Sequence, residues 1–261
     1  MGAKLDQHFL VDPGARDAIV AAAEVSRGDS VLEIGPGKGV LTRELLRRGA
    51  RVTAVELDRG LFERLDRELG AEPGFRAVRG DFLLVDLAEL GEGPHTIVAN
   101  LPYAVATPIL QRLLPWDRWT TAVLMFQKEV ADRLAATAGE PGYGLLSLSV
   151  WLRAEVEPVA QVGRRSFSPP PRVDSAVVRL RRRPASLAPE GGEKAFFRIV
   201  RAAFSQRRKM AAGVLSKALK LERGTVDEAL KSLGVDPGAR AETIPPEVFL
   251  KLPSLFGAAG S

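Results

Sequence analysis

Asn100, Leu101, Pro102 and Tyr103 follow directly on a short apolar run, Thr96-Ile97-Val98-Ala99. Those four residue types suit one difficult reaction, alkylation of an exocyclic amine on a nucleobase. Such an amine is a poor nucleophile because its lone pair is delocalised into the ring. The side-chain oxygen of Asn100 and the main-chain carbonyl of Leu101 can each accept one amine hydrogen, which favours a tetrahedral nitrogen with a localised pair. Pro102 restricts Leu101 to extended backbone and so holds that carbonyl in place. Tyr103 offers a ring face to a base rotated out of its helix. A strand running into an ordinary turn contains the same residue types, so the motif needs support from the rest of the chain.

Three acidic residues at three further strand ends supply it. Ser30-Val31-Leu32-Glu33-Ile34-Gly35-Pro36-Gly37 reads as a strand running into a glycine turn, with Glu33 at the strand's end. An acid there suits a cationic, amino-acid-bearing ligand better than a pyrophosphate. Lys38 is no phosphate-loop lysine, because no Ser or Thr follows it. Arg51 to Val55 is the next strand, ending in Glu56-Leu57-Asp58. An acid in that place accepts from ribose hydroxyls. Either Glu56 binds and Asp58 caps the following helix, or both serve the helix start. Phe75 to Arg79 is the third strand, ending in Gly80-Asp81-Phe82, where Asp81 can accept from an adenine amino group. Together the three acids describe a nucleoside pocket with no phosphates to neutralise.

The elements that must position these groups alternate. A helix is expected from Pro13 to Ala23 with Asp12 as its N-cap. Ala122 to Gln127 reads as a fifth strand, followed by a helix from Lys128 to Ala136. Gly144 to Leu152 is ambiguous between helix and strand. Glu155 to Val162 and Ser175 to Leu180 read as a closing pair of strands. The alternation predicts an α/β fold, a Rossmann-like doubly wound sheet with its ligand over the first strands. Residues 1–183 make that domain and 184–193 a linker. Residues 194–261 read as a small helical domain, with Gly234 as one helix stop.

Composition limits the chemistry. The 261 residues are 46% hydrophobic and 26% charged, so a sizeable core is expected. No cysteine is present, which excludes disulfides, thiolate metal sites and cysteine nucleophiles. The two histidines, His8 and His95, lie far apart, so no metal is expected. No long uncharged apolar run or signal-peptide core occurs, and a cytoplasmic protein without membrane attachment is the expectation. The net charge of +5 permits nucleic acid as a partner without requiring it. Position carries that argument further. Arg164, Arg165 and Arg172 surround Phe167 on a proline-rich loop, which suits unstacked RNA bases and phosphates. A second basic cluster is Arg207-Arg208-Lys209; such a run is commonly a solvated face, and facing RNA is its functional alternative.

The chain from Gln7 to about Phe249 closely resembles the KsgA/RsmA family of small-subunit rRNA adenine dimethyltransferases. The residues carrying the resemblance are Gln7-His8-Phe9-Leu10, Glu33-Ile34-Gly35-Pro36-Gly37, Glu56-Leu57-Asp58, Gly80-Asp81 and Asn100-Leu101-Pro102-Tyr103. Most distinctive are the stretches from Phe167 to Val177 and from Ala203 to Lys209. The resemblance implies a class I fold with S-adenosylmethionine as methyl donor, S-adenosylhomocysteine as product, and adjacent adenosines near the 3′ end of small-subunit rRNA as substrate. It implies that Gln7, His8 and Leu10 border the donor, with Gly35 and Gly37 at its methionine part beside Glu33. Glu56 would take the ribose and Asp81, next to Phe82, the adenine. Asn100, Leu101, Pro102 and Tyr103 would hold the target adenine, with Phe167 on its other face. The expected partner is the pre-small ribosomal subunit, and the expected state a monomer. His8 stands where the family often has Asn, Asp6 where it often has Gly, and Ala104 replaces a common Asn. The rival readings are an Erm-type enzyme acting on large-subunit rRNA and a non-catalytic ribosome-assembly factor. The Phe167 loop and the Gln206 to Lys209 segment favour the small subunit, and an intact Asn100-to-Tyr103 motif argues for catalysis.

Overall fold

The structure is a computed structural model that describes residues 7–188 and 192–257; Asp6 and linker positions 189–191 lie outside the described residues. Two compact units divide the chain, Met1–Ala131 with Glu155–Arg183, and Asp132–Ala154 with Pro184–Ser261.

In the first unit, strand β1 (Phe9–Leu10) leads into helix α1 (Pro13–Ala22). Asp12 caps α1, its carboxylate accepting from the amides of Gly14 at 2.8 Å and Ala15 at 3.2 Å, with Pro13 pre-set for the first turn. Two strand–helix repeats and a further strand follow: β2 (Ser30–Ile34), α2 (Val40–Arg47), β3 (Arg51–Glu56), α3 (Arg59–Leu69) and β4 (Phe75–Arg79). Then come β5 (His95–Asn100), α4 (Tyr103–Leu113) and β6 (Trp119–Gln127), which leads into α5 (Lys128–Ala135). Strand β7 (Ala154–Val162), the two-residue β8 (Phe167–Ser168) and β9 (Ser175–Arg182) complete it.

Seven strands form one sheet in the order β4-β3-β2-β5-β6-β9-β7. Strands β2 to β6 pair in parallel and β9 runs antiparallel to β6. Val31, Leu32, Ile97, Val98, Val123 and Leu124 are fully buried, as expected of inner parallel strands covered by helices on both faces. The chain runs outward from β2 through β3 to β4, then returns to β5 on the other side of β2. The reversal leaves a crevice at the C-terminal ends of β2 and β5, where open α/β sheets bind ligands. Glu33 lies at one of those ends and Asn100 at the other.

The second unit contains α6 (Leu145–Trp151), α7 (Gly192–Phe204), α8 (Ala211–Leu219), α9 (Arg223–Ser232) and α10 (Pro246–Phe256). The ambiguous Gly144–Leu152 stretch is thus helical. Tyr143, Leu148 and Leu152 pack with Phe196, Ile199 and Phe249 in its core, so residues 132–154 group with these helices rather than with the sheet.

Candidate active site

One open cavity occupies the crevice. Gln7, His8, Leu10, Glu33, Gly35, Gly37, Glu56, Asp81, Phe82, Asn100, Leu101, Pro102 and Tyr103 all line it. Thirteen residues spread over nearly a hundred positions are therefore brought together around one cavity.

The glycine turn is built for close approach. Gly35 has φ +67° and a Cβ there would meet nothing within 4 Å, so the space belongs to the cavity. Gly37 has φ +58° and a Cβ would lie 3.2 Å from the Phe9 ring. Its amide donates to Glu56 Oε2 at 3.0 Å, and the Asp58 amide donates to Glu56 Oε1 at 2.9 Å. These two bonds fix the Glu56 carboxylate at the cavity wall. Asp58 caps α3 by accepting from the Leu61 amide, so the two acids divide the roles of wall and cap. Burial raises the Glu56 pKa, while the Asp58 and Gly37 amides oppose the rise.

Glu33 is 1% exposed, and its Oε2 has no hydrogen-bond partner. Burial is the main reason its pKa is pushed up to about 7; Thr42 and Arg43 pull it down and the Glu56 charge adds to the rise. An unpartnered buried acceptor in a cavity wall is the fitting counterpart of a cationic ligand group. Asp81 Oδ1 accepts from the Leu83 amide at 2.8 Å, which closes a tight turn after β4.

At the other wall, Asn100 Nδ2 donates to the His8 main-chain carbonyl at 3.1 Å. Pro102, at φ −60° and ψ 127°, caps α4, and Tyr103 is that helix's first residue. The Tyr103 hydroxyl bonds Ser175 Oγ at 2.7 Å, and its ring centroid lies 5.7 Å from that of His8. His8 Nδ1 donates to the Pro169 carbonyl at 2.8 Å. Strand β1 pairs with β8, and Ser166 Oγ donates to Asp12 Oδ2 at 2.7 Å. The proline-rich loop is thus clasped to the segment that borders the cavity. Ala104, beside Tyr103, is exposed.

Phe167 lies apart from these residues. It does not line the cavity; it is 3% exposed and packs in the core with Leu10, Met125, Val162 and Val177. Phe167 stands opposite Leu10 in the β1–β8 pair, and cross-strand partners share a face; both are buried in this core, where Leu10 also reaches the cavity wall and Phe167 does not. The assignment of Phe167 to a base-stacking face therefore does not hold in this structure.

Arg164, Arg165 and Arg172 are exposed in the first unit, and Arg207, Arg208 and Lys209 in the second. Arg207 Nη2 also donates to the Tyr143 carbonyl at 2.9 Å, which ties it to its own unit. Elsewhere many arginines are paired: Arg43 with Glu68, Arg59 with Glu63, and Arg179 with Glu24 and Glu157.

Sequence reasoning passed over Phe9 and Lys38, both in the wall, with Lys38 Nζ 4.5 Å from the Phe9 ring centroid. It also passed over Val105 and Ile109, whose i, i+4 spacing on α4 was available. Among the described residues no group of three or more His, Asp or Glu could hold a metal ion, and no helix is long and apolar enough to cross a membrane.

A mostly parallel sheet with acids at successive strand ends around a glycine turn, and an Asn-Leu-Pro-Tyr wall facing them, defines a class I S-adenosylmethionine-dependent methyltransferase. The chain belongs to the ribosomal RNA adenine dimethylase family, whose sequence profile matches residues 2–256. It is 46% identical to the ribosomal RNA small subunit methyltransferase A of Phenylobacterium zucineum, over 94% of this chain and 85% of that protein. It is 41% identical to the protein of the same name from Nostoc sp., over 96% of both. Among solved structures, a dimethyladenosine transferase from Plasmodium falciparum superposes with a TM-score of 0.84 at 28% identity, covering 97% of this chain and 98% of that one. The 23S rRNA methyltransferase ErmE superposes with a TM-score of 0.76 at 33% identity, covering 94% and 97%.

Proposed function

We propose that this protein transfers methyl groups from S-adenosylmethionine to N6 of two adjacent adenosines near the 3′ end of small-subunit rRNA, forming N6,N6-dimethyladenosine. The observation that carries the chemistry is a single cavity lined by both the strand-end acids and Asn100–Tyr103. The choice of small-subunit rRNA is supported by relatives at 39–46% identity that carry the small-subunit name. The pre-small subunit is the partner this assigns, with the chain acting as a monomer in the cytoplasm.

The donor, when bound, supplies an electrophilic methyl group on a sulfonium sulfur. Glu33 and the glycine backbone at Gly35 and Gly37 are assigned its amino-acid part, Glu56 its ribose, Asp81 and Phe82 its adenine, and Gln7, His8 and Leu10 its border. With Nδ2 committed to the His8 carbonyl, Asn100 keeps Oδ1 as an acceptor for one amine hydrogen. The Leu101 carbonyl takes the other, and Tyr103 supports the base from its ring face. Alignment does most of the work, because methyl transfer needs an in-line approach more than a strong base. The methylated nitrogen is cationic and releases its proton to water. No general base is required, and His8 is engaged in holding the loop.

ErmE's similarity makes large-subunit rRNA the second reading. Labelled donor is incubated separately with small and large subunits from cells lacking the modifications, and the labelled base is mapped. Label on two adjacent small-subunit adenosines is expected. Label on the large subunit alone would overturn the assignment, and no label on either would favour an assembly factor.

A further inference from the structure

We propose that Arg112 is the positioning residue for the adenine end of the donor site, holding the Asp81–Val85 turn in the shape that selects adenine. This rests on the reading of the cavity as the donor site. Arg112 lies on α4 at i+7 from Val105 and i+3 from Ile109, both of which line the cavity, so the three share one helix face. Its Nη1 donates to the Leu83 carbonyl and its Nη2 to the Val85 carbonyl. The same turn spends its amides on Asp81: Leu83 N on the carboxylate, Leu84 N and Val85 N on the main-chain oxygen, each at 2.8 Å. Arg112 therefore fixes one side of the turn and Asp81 the other, with Phe82 between them in the cavity wall.

Packing does little to hold this turn. Phe82 is buried at 4%, but Leu84 is 80% exposed and Leu83 and Val85 are half-buried. Arg112 also carries a cost, since its Nε is buried without a partner. An apolar side chain of similar length would fill the space without that penalty, so the gain must lie in the two carbonyl contacts. A planar guanidinium fork can bridge two carbonyls, whereas a lysine ammonium is a single point charge. Because α4 begins at Tyr103, one helix anchors the target-base wall at its start and the adenine turn near its end.

The test measures affinity for S-adenosylhomocysteine and for its inosine analogue by calorimetry, in wild type, Arg112→Met and Arg112→Lys. The analogue replaces the amino group that Asp81 would accept from with an oxygen. Wild type is expected to prefer the adenine compound. Both variants, folded by circular dichroism, are expected to lose affinity for it about tenfold, as for loss of charged hydrogen bonds, and to bind the analogue nearly as before. A preference kept in both variants, an equal loss of both ligands, or no preference in wild type would overturn the role of Arg112. Wild type binding neither ligand would instead overturn the donor-site reading. In wild type alone, S-adenosylhomocysteine is expected to slow amide exchange across residues 83–85, and unchanged exchange there would also count against the proposal.

Discussion

Asn100 Nδ2 donates to the main-chain carbonyl of His8 at 3.1 Å, across 92 residues of sequence. The bond ties the end of β5 to a segment that is itself clasped to the proline-rich loop. It also removes the ambiguity of a side-chain amide, because a carbonyl can only accept, so the nitrogen faces His8 and the oxygen remains for substrate.

That orientation predicts an effect confined to the transition state. Asn100→Ala should slow single-turnover methyl transfer about a hundredfold, the order seen when one transition-state hydrogen-bonding group is lost, while RNA affinity changes little. A near-wild-type rate with donor and RNA bound normally would remove Asn100 from the chemistry.

Glu33 predicts a pH dependence. Its pKa is raised from 4.5 to about 7 by burial, with Thr42 and Arg43 opposing and Glu56 assisting. Between those values the folded state holds a proton that the unfolded state has lost, so stability falls as pH rises from about 4.5 to 7. Above 7 the deficit is full, about 3 kcal/mol. Glu33→Gln should therefore match wild type at pH 4 and be more stable at pH 8, by urea denaturation of the donor-free protein. A cationic donor should favour the ionised carboxyl, so donor affinity should increase through pH 7 in wild type and stay flat in the variant. Parallel stability curves for the two proteins would contradict this account.

Phe167 separates a packing role from a recognition role. As a core residue, Phe167→Ala should lose about 3–5 kcal/mol of stability. Phe167→Leu should keep most of the fold and most of the RNA affinity. A stable Phe167→Ala protein with a selective defect in base capture would restore the stacking role.

What the sequence made legible follows the local rules. Apolar runs such as Thr96–Ala99 announce inner parallel strands, and the reversal rule then says where Glu33, Glu56, Asp81 and Asn100 must meet. Gly144–Leu152 stayed ambiguous because Leu146-Ser147-Leu148-Ser149-Val150 alternates with a period of two, as a strand would, in a stretch too short to show a helical period. Phe167 was misread because prolines and arginines around an aromatic say nothing about which strand it pairs with; Leu10 opposite it decides the face. The bonds from His8 to Pro169, Tyr103 to Ser175 and Arg112 to Leu83 join positions 161, 72 and 29 apart, where no spacing rule applies.

The exposed arginines predict a salt effect. Neutralising Arg164, Arg165 and Arg172, or Arg208 and Lys209, should weaken RNA binding and flatten its dependence on salt. The slope should fall by about 0.7–0.9 for each phosphate that the variant no longer neutralises. Arg207 is best left in place because it bonds Tyr143 within its own unit. An unchanged slope would make that cluster solvated surface.

The pair Tyr103 and Ser175 yields a prediction that can be read without substrate. Ser175 is fully buried and its Oγ lies 2.7 Å from the Tyr103 hydroxyl. A net hydrogen bond of this kind contributes about 1 kcal/mol, enough to hold the ring at one angle against the incoming base. Burial raises the Tyr103 phenol pKa, and the Ser175 contact lowers it in part. The chain has two tyrosines, and burial pushes the other, Tyr143, well above the usual range. The first phenolate to appear in an ultraviolet titration should therefore be Tyr103. Ser175→Ala should move that transition to higher pH, and Tyr103→Phe should abolish it. Each variant should slow methyl transfer roughly fivefold, with the ring face retained in both. The double variant should be no slower than either single one, because both remove the same bond. Rate losses that multiply in the double variant would mean that Ser175 does not act through Tyr103, whatever the titration shows.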